Sequence, residues 1–188
     1  MRRGGGDFVD VGANVGVYTF AVTSATRCRT VAIEPEPSNF ARLVTNLSLN
    51  PDLAITLANF AATPTEATVE LGTTVPGQRA WTRVGPTPGT NSIRVRGRPL
   101  EDILIEAGNQ SVALLKIDVE GYEIRALAGL DWNGPRRPQA VLMECAPAET
   151  EKLEFMALRG YAVQTIHGAS LEGLAEYPEG NVLFISHL

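Results

Sequence analysis

The sequence is poor in the features that mark several common protein classes. It has two cysteines, Cys28 and Cys145, and neither lies in a CxxC or Cys/His cluster. That argues against zinc and against a disulfide scaffold. Cys145 sits in an apolar run, where a buried reduced thiol is expected. No apolar run approaches the ~20 residues that a membrane span needs. Nothing of signal-peptide type precedes the first strand-like segment, so a soluble cytoplasmic protein with no membrane contact is expected. Basic runs stop at the pairs Arg2-Arg3 and Arg136-Arg137, and the net charge is −5. Non-specific nucleic-acid binding draws on clustered positive charge, so it is disfavoured. Arginines at 79, 83, 94, 96 and 98 leave room for a local patch only.

What is present is an ordinary globular balance. Of 188 residues, 44% are hydrophobic and 20% charged, which suits a single domain spanning 1–188. Apolar runs that read as strands lie at 7–11, 30–33, 53–60, 112–117, 140–145, 161–166 and 182–186. Helical spacing is expected over 17–26, from Pro37 to about Asn50, and over 100–107, 122–129 and 148–158. Residues 63–99 form a loop or hairpin insertion rich in Thr, Pro and Gly at its start, with strands at 67–71 and 93–96. The strands are continuous apolar runs alternating with helices. This predicts an α/β fold, doubly wound, around a mostly parallel sheet buried on both faces. Ligands bind such sheets beyond the carboxyl ends of the strands. Asp10 to Gly16, Glu34, Ala61, Asp118 to Gly121 and Glu144 all fall there.

Three of these segments carry chemistry. Asp10-Val-Gly12-Ala-Asn14-Val-Gly16 joins a strand to a helix, and its glycines let a ligand approach the backbone. A nicotinamide enzyme would carry GxGxxG there, but Asn14 stands in place of the middle glycine. The Asp10 carboxylate suits a cationic ligand bearing an ammonium group, and S-adenosylmethionine is such a ligand. Glu34 follows Asp10 by 24 residues. An acid about 20 residues past the glycine turn is where adenosine-binding α/β folds hold the ribose diol. Asp118 and Glu120 lie two residues apart at a strand end. They suit a general base or a metal site, and equally the capping of the next helix. Glu144 can join Asp118 in a carboxylate cluster compatible with Mg²⁺. Glu123 is expected on the helix surface. His167 and Trp81 are weaker candidates, for a base and a stacking surface, while Trp132 and Tyr161 read as packing residues.

Four blocks resemble the FkbM-type methyltransferases: DVGANVGVYTF, IEPEPSNFARLVTNLSLN, LLKIDVEGYEIRALAGL and VLMEC. The resemblance runs from about residue 7 to 146. It implies a Rossmann-like class I methyltransferase fold with a seven-stranded sheet and a reversed last strand. The implied activity is O-methylation of a sugar, glycan, polyketide or similar small molecule, with S-adenosylmethionine as donor. Asp10, Gly12, Asn14 and Gly16 would then line the methionine part of the cofactor, Glu34 would take the ribose, and Ala61 would belong to the same pocket. Asp118 and Glu120 would be the catalytic pair. Asn46 and Asn50 match paired asparagines that read as structural. Relatives often carry a longer segment ahead of the first strand that helps cover the cofactor, whereas six residues precede Asp7 here. Two other functions fit the same architecture: a nucleotide-dependent oxidoreductase, and a non-catalytic module that only binds the cofactor.

Overall fold

A computed structural model describes residues 5–73, 82–84, 91–146, 148–168 and 180–187. In chain order the elements are β1 (Asp7–Val11), α1 (Val17–Thr26), β2 (Thr30–Ile33), α2 (Pro37–Ser48), β3 (Ile55–Ala58), β4 (Ala61–Thr63), β5 (Ala67–Thr73), β6 (Thr82–Val84), β7 (Asn91–Pro99), α3 (Leu100–Glu106), β8 (Val112–Ile117), α4 (Glu123–Leu127), β9 (Ala140–Cys145), α5 (Thr150–Ala157), β10 (Tyr161–Thr165) and β11 (Gly180–Ser186).

Seven strands form the main sheet in the order β10-β11-β9-β8-β1-β2-β3. Its parallel members are β3, β2, β1, β8 and β9, and β11 runs antiparallel to both of its neighbours. The chain winds outward from β1 to β3, then returns to the other side of β1 at β8. Strand order therefore reverses between β1 and β8, the place where such folds bind ligands.

Alternation within the strands sorts side chains onto two faces. Val9, Val11, Val31, Ile33, Leu115 and Ile117 join the larger core with Leu100, Ile103, Leu104, Leu127 and Met156 from α3 to α5. Ala32 points the other way and packs with Leu43, Phe20 and Phe40 under α1 and α2. Helix α2 starts at Pro37, a favoured first-turn residue. The Glu36 carboxylate caps it by accepting from the Asn39 N–H at 2.6 Å. On the far side of the sheet, Trp132 meets Tyr161 and Phe155 edge-on, each at 5.8 Å between ring centroids.

The stretch after β3 differs from its sequence reading in extent. The apolar run 53–60 is not one strand. Strand β3 ends at Ala58, and the Asn59 amide donates to the Glu34 and Pro35 carbonyls at 2.7 and 3.3 Å. The chain then opens a second sheet of order β4-β7-β5-β6 with its own small core of Ala61, Val69 and Leu71. The two expected strands 67–71 and 93–96 extend to Ala67–Thr73 and Asn91–Pro99 and pair antiparallel. Trp81 lies outside the described residues. No helix among the described residues is long and apolar enough to cross a membrane.

Candidate active site

A cavity of about 910 Å³ opens at the carboxyl ends of β1, β2 and β8, the size of a pocket for a drug-sized ligand. The glycine turn forms one wall. Gly12, Asn14 and Gly16 all have positive φ, at 79°, 52° and 97°. Glycine takes that conformation freely, and asparagine is among the few side chains that tolerate it. The turn is pinned to the second strand, because the N–H groups of Gly12 and Ala13 both donate to the Ile33 carbonyl, at 2.9 and 3.0 Å. The Asn46 side chain holds it from α2 by donating to the Val15 carbonyl at 2.8 Å. Asn50 in turn donates to the Asn46 carbonyl at 2.8 Å, so the asparagine pair is structural here.

Glu34 faces the cavity and is 4% exposed. Its two carboxylate oxygens accept one backbone N–H each, from Asn14 at 2.8 Å and from Glu36 at 2.9 Å. A carboxylate offers about four acceptor positions, and the Asn39 side chain also bonds to this one, so about one remains for a ligand. Burial pushes the Glu34 carboxyl above its ordinary 4.5, and the two backbone bonds oppose that only in part. The folded chain therefore holds this proton more tightly than the unfolded chain does. Stability contributed by Glu34 is greatest below pH 4.5 and declines as pH rises through the folded pKa. Acceptance of a ligand hydroxyl by this carboxylate would have the opposite sense, since the ionised form is the acceptor. Calorimetric affinity for an adenosine ligand should fall on acidification with a midpoint above 4.5, and Glu34→Gln should flatten that profile.

Asp118, Val119, Glu120 and Tyr122 supply the opposite wall, with Phe60 just before β4 and Ala61, Ala62 and Leu71 from the second sheet. Asp118 is half-buried, with its side chain 36% exposed. Glu120 has φ 54° and Gly121 φ 87°, a tight left-handed pair that turns the chain across the mouth. That turn is held from beneath by Glu123, which accepts from the N–H groups of Val119 and Gly121 at 3.2 and 3.0 Å. Glu123 is 2% exposed, so it is buried and not on the helix surface as its position in the sequence suggests. Its other oxygen meets the Lys152 ammonium at 3.0 Å. Lys152 also pairs with Glu149 at 2.9 Å and donates to the Glu144 carbonyl at 2.9 Å. The N-cap of α4 is Tyr122, so neither Asp118 nor Glu120 occupies that position.

Gly12, Asn14, Glu34, Ala61, Asp118 and Glu120 thus meet at one cavity, while Asp10, Gly16 and Glu144 do not line it. Asp10 is fully buried below the turn, and the Thr19 hydroxyl donates to it at 2.6 Å. Across the β1–β8 ladder Asp10 is in register with Lys116, whose ammonium lies 3.4 Å from it and 3.4 Å from Asp118. Lys116 lines the cavity floor. In the sequence it reads only as an interruption of an apolar strand, and a charge inside a buried run was the signal. His167 is exposed and outside the cavity, and His187 is exposed as well. Burial lifts the Cys145 thiol to about 12, so it is an unreactive core residue.

The donor set does not fit the divalent ion considered for Asp118 and Glu144. Among the described residues no three His, Cys, Asp or Glu side chains gather to hold a metal. Asp118 faces an ammonium at 3.4 Å instead.

An S-adenosylmethionine-type ligand fits better. The absence of a Cβ at Gly12 lets the glycine turn close against the Asp118 carbonyl, Glu34 faces the cavity with acceptor capacity left, and the cavity spans both. A seven-stranded sheet with one reversed strand and this pocket is the class I methyltransferase fold. Residues 10–166 match the model of the methyltransferase FkbM domain, and the chain belongs to that family. A curated relative, "Methyltransferase 1" of Beauveria bassiana (strain ARSEF 2860), is 27% identical over 143 residues, covering 65% of this chain. The match takes in 57% of that relative's own length. Among solved structures, precorrin-6y C5,15-methyltransferase from Geobacter metallireducens GS-15 is similar with a TM-score of 0.56 at 14% identity, covering 97% of this chain and 80% of its own. The METTL16 MTase domain gives 0.59 at 11%, covering 97% and 60%. At these identities the two structures speak for the fold alone.

Proposed function

We propose that this protein is an S-adenosylmethionine-dependent O-methyltransferase that acts on a hydroxyl of a sugar, glycan, polyketide or similar small molecule. The observation that carries the reading is one cavity with two separate acidic stations. At one side stands Glu34, buried and with acceptor capacity left over; at the other stand Asp118 and Glu120. Family membership supports methyl transfer, and the fold relatives agree with it.

In this reading Gly12 and Asn14 face the methionine part, Glu34 binds the ribose diol, and Ala61 belongs to the wall of the same pocket. Asp10 and Gly16 act from behind the turn, the first through Lys116 and the second by letting α1 start where it does. The cofactor supplies a methyl group on a positively charged sulfur. Asp118 or Glu120 would accept the hydroxyl proton as the oxygen lone pair takes the methyl carbon, the carbon–sulfur bond breaking with its electron pair returning to sulfur to leave the neutral thioether. Holding oxygen, carbon and sulfur in line supplies most of the rate.

The test is transfer of labelled methyl to a panel of acceptors bearing free hydroxyls or free amines. Label in hydroxyl acceptors, as an ether, is the expected product. Asp118→Asn or Glu120→Gln should then lower turnover by roughly 10²–10⁴-fold while leaving S-adenosylhomocysteine bound. Label on nitrogen or carbon would replace the O-methyl reading. Ligand binding with no transfer across the panel would favour the non-catalytic module.

A further inference from the structure

Two lysines are buried in this fold, and they are committed to very different degrees. Lys152 donates to the Glu144 carbonyl at 2.9 Å and pairs with the Glu149 and Glu123 carboxylates at 2.9 and 3.0 Å, at or close to the range of charge-assisted bonds. Lys116 is just as buried, at 4% exposure. Its ammonium has the Asp10 carboxylate, the Asp118 carboxylate and the Gly12 carbonyl around it, each at 3.4 Å. The Tyr18 ring lies 5.0 Å away. None of the three oxygens is in the 2.7–2.9 Å range of a committed ionic hydrogen bond. A buried cation with unspent donor strength, on the floor of a cavity, is poised for an anion.

Its place in the sheet says which anion. Glu34 follows β2 and Lys116 lies on β8, with β1 between them. Neighbouring strands stand about 4.8 Å apart, so the two stations are roughly 10 Å apart across the glycine turn. A ligand with its ribose diol on Glu34 that follows the turn past Gly12 reaches Lys116 with its far end. For an adenosyl amino acid that end is a zwitterion. Two carboxylates, Asp10 and Asp118, surround the single lysine, and the excess negative charge suits the ligand's ammonium. The lysine suits its carboxylate.

We infer that Lys116 is the residue that recognises the α-carboxylate of the cofactor, with buried Asp10, fixed by Thr19, as the anchor that positions the lysine. The inference rests on the cofactor reading above. It assigns Asp10 an indirect role.

The test is a binding comparison that needs no acceptor. The probes are S-adenosylhomocysteine and its decarboxylated analogue, which keeps the amine and lacks only the carboxylate. The wild type should prefer S-adenosylhomocysteine by roughly ten- to a hundredfold, the effect of one hydrogen bond to a charged group. Lys116→Met should erase that preference. Because this variant strands the buried Asp10 charge, Asp10→Asn/Lys116→Met is measured beside it, and it too should bind both probes alike. Equal weakening of both probes, with the preference kept, would overturn the inference and leave Lys116 a structural residue. Failure of the wild type to bind either probe would overturn the cofactor reading and the inference together.

Discussion

Gly12→Ala is expected to abolish S-adenosylhomocysteine binding and to lower stability by about 2–5 kcal/mol. Two effects add. Gly12 has φ 79°, where an L side chain is strained by about 1–2 kcal/mol. A Cβ there would also lie 2.0 Å from the Asp118 carbonyl oxygen and 3.0 Å from its carbon. Those are backbone atoms of the adjoining strand end, so no rotamer change relieves the clash. Overpacking of this kind costs about 1–3 kcal/mol. Relief requires β1 and β8 to part, and they part at the floor of the cavity. The measurement pairs thermal denaturation with calorimetric titration. Gly108→Ala is the control: Gly108 also has positive φ, at 71°, but its added Cβ meets nothing nearer than Arg29, at 3.9 Å. It should lose stability and keep binding. If Gly12→Ala binds normally, the turn does not face the ligand.

The second large effect is at a residue far from the cavity in sequence. Lys152→Met should destabilise the chain by about 3–5 kcal/mol, the usual result of removing one member of a buried ion pair. For a chain of this size that corresponds to a fall in Tm of about 6–20 °C. Burial alone would favour the neutral amine, but Glu149 and Glu123 outweigh it, and the Lys152 pKa rises above its ordinary 10.5. Its contribution is thus complete at neutral pH and would be lost only as pH climbs through that raised value. Without the ammonium, Glu123 and Glu149 are left facing one another, and the Glu123 bonds to Val119 and Gly121 lose their support. The expected signature is therefore twofold: a lower Tm, and slower turnover from a loosened Asp118–Gly121 turn. Glu123→Gln/Lys152→Met, which removes one charge of each sign, should recover part of the loss. A Tm change under 2 °C would mean that the network is not buried as described.

The main sheet was legible because parallel strands buried on both faces leave an unmistakable apolar run. Val17–Thr26 and Thr30–Ile33 fall where periodicity puts them. The lining of the cavity was legible for a related reason: residues just past the strands of such a sheet gather at the switch point, and Gly12, Asn14, Glu34, Asp118 and Glu120 stand there. The second sheet was harder. Only parts of β5 and β7 read as strands, because the two are joined by pairing between segments distant in sequence, such as Glu70 with Arg94. Local pattern carries no such information. The buried charges were hidden for the same reason. Glu123 at the start of a helix looks like an ordinary surface acid favoured by the dipole, and only the fold brings Lys152 to it. Lys116 makes sense only once the register sets it opposite Asp10.

The most direct measurement is calorimetric titration of the intact chain and of Glu34→Ala with S-adenosylhomocysteine at neutral pH. Tight binding by the intact chain, lost in Glu34→Ala while the fold is retained, is the expected result. No binding by the intact chain, or equal binding by both, would contradict a cofactor site at the β1–β8 switch point.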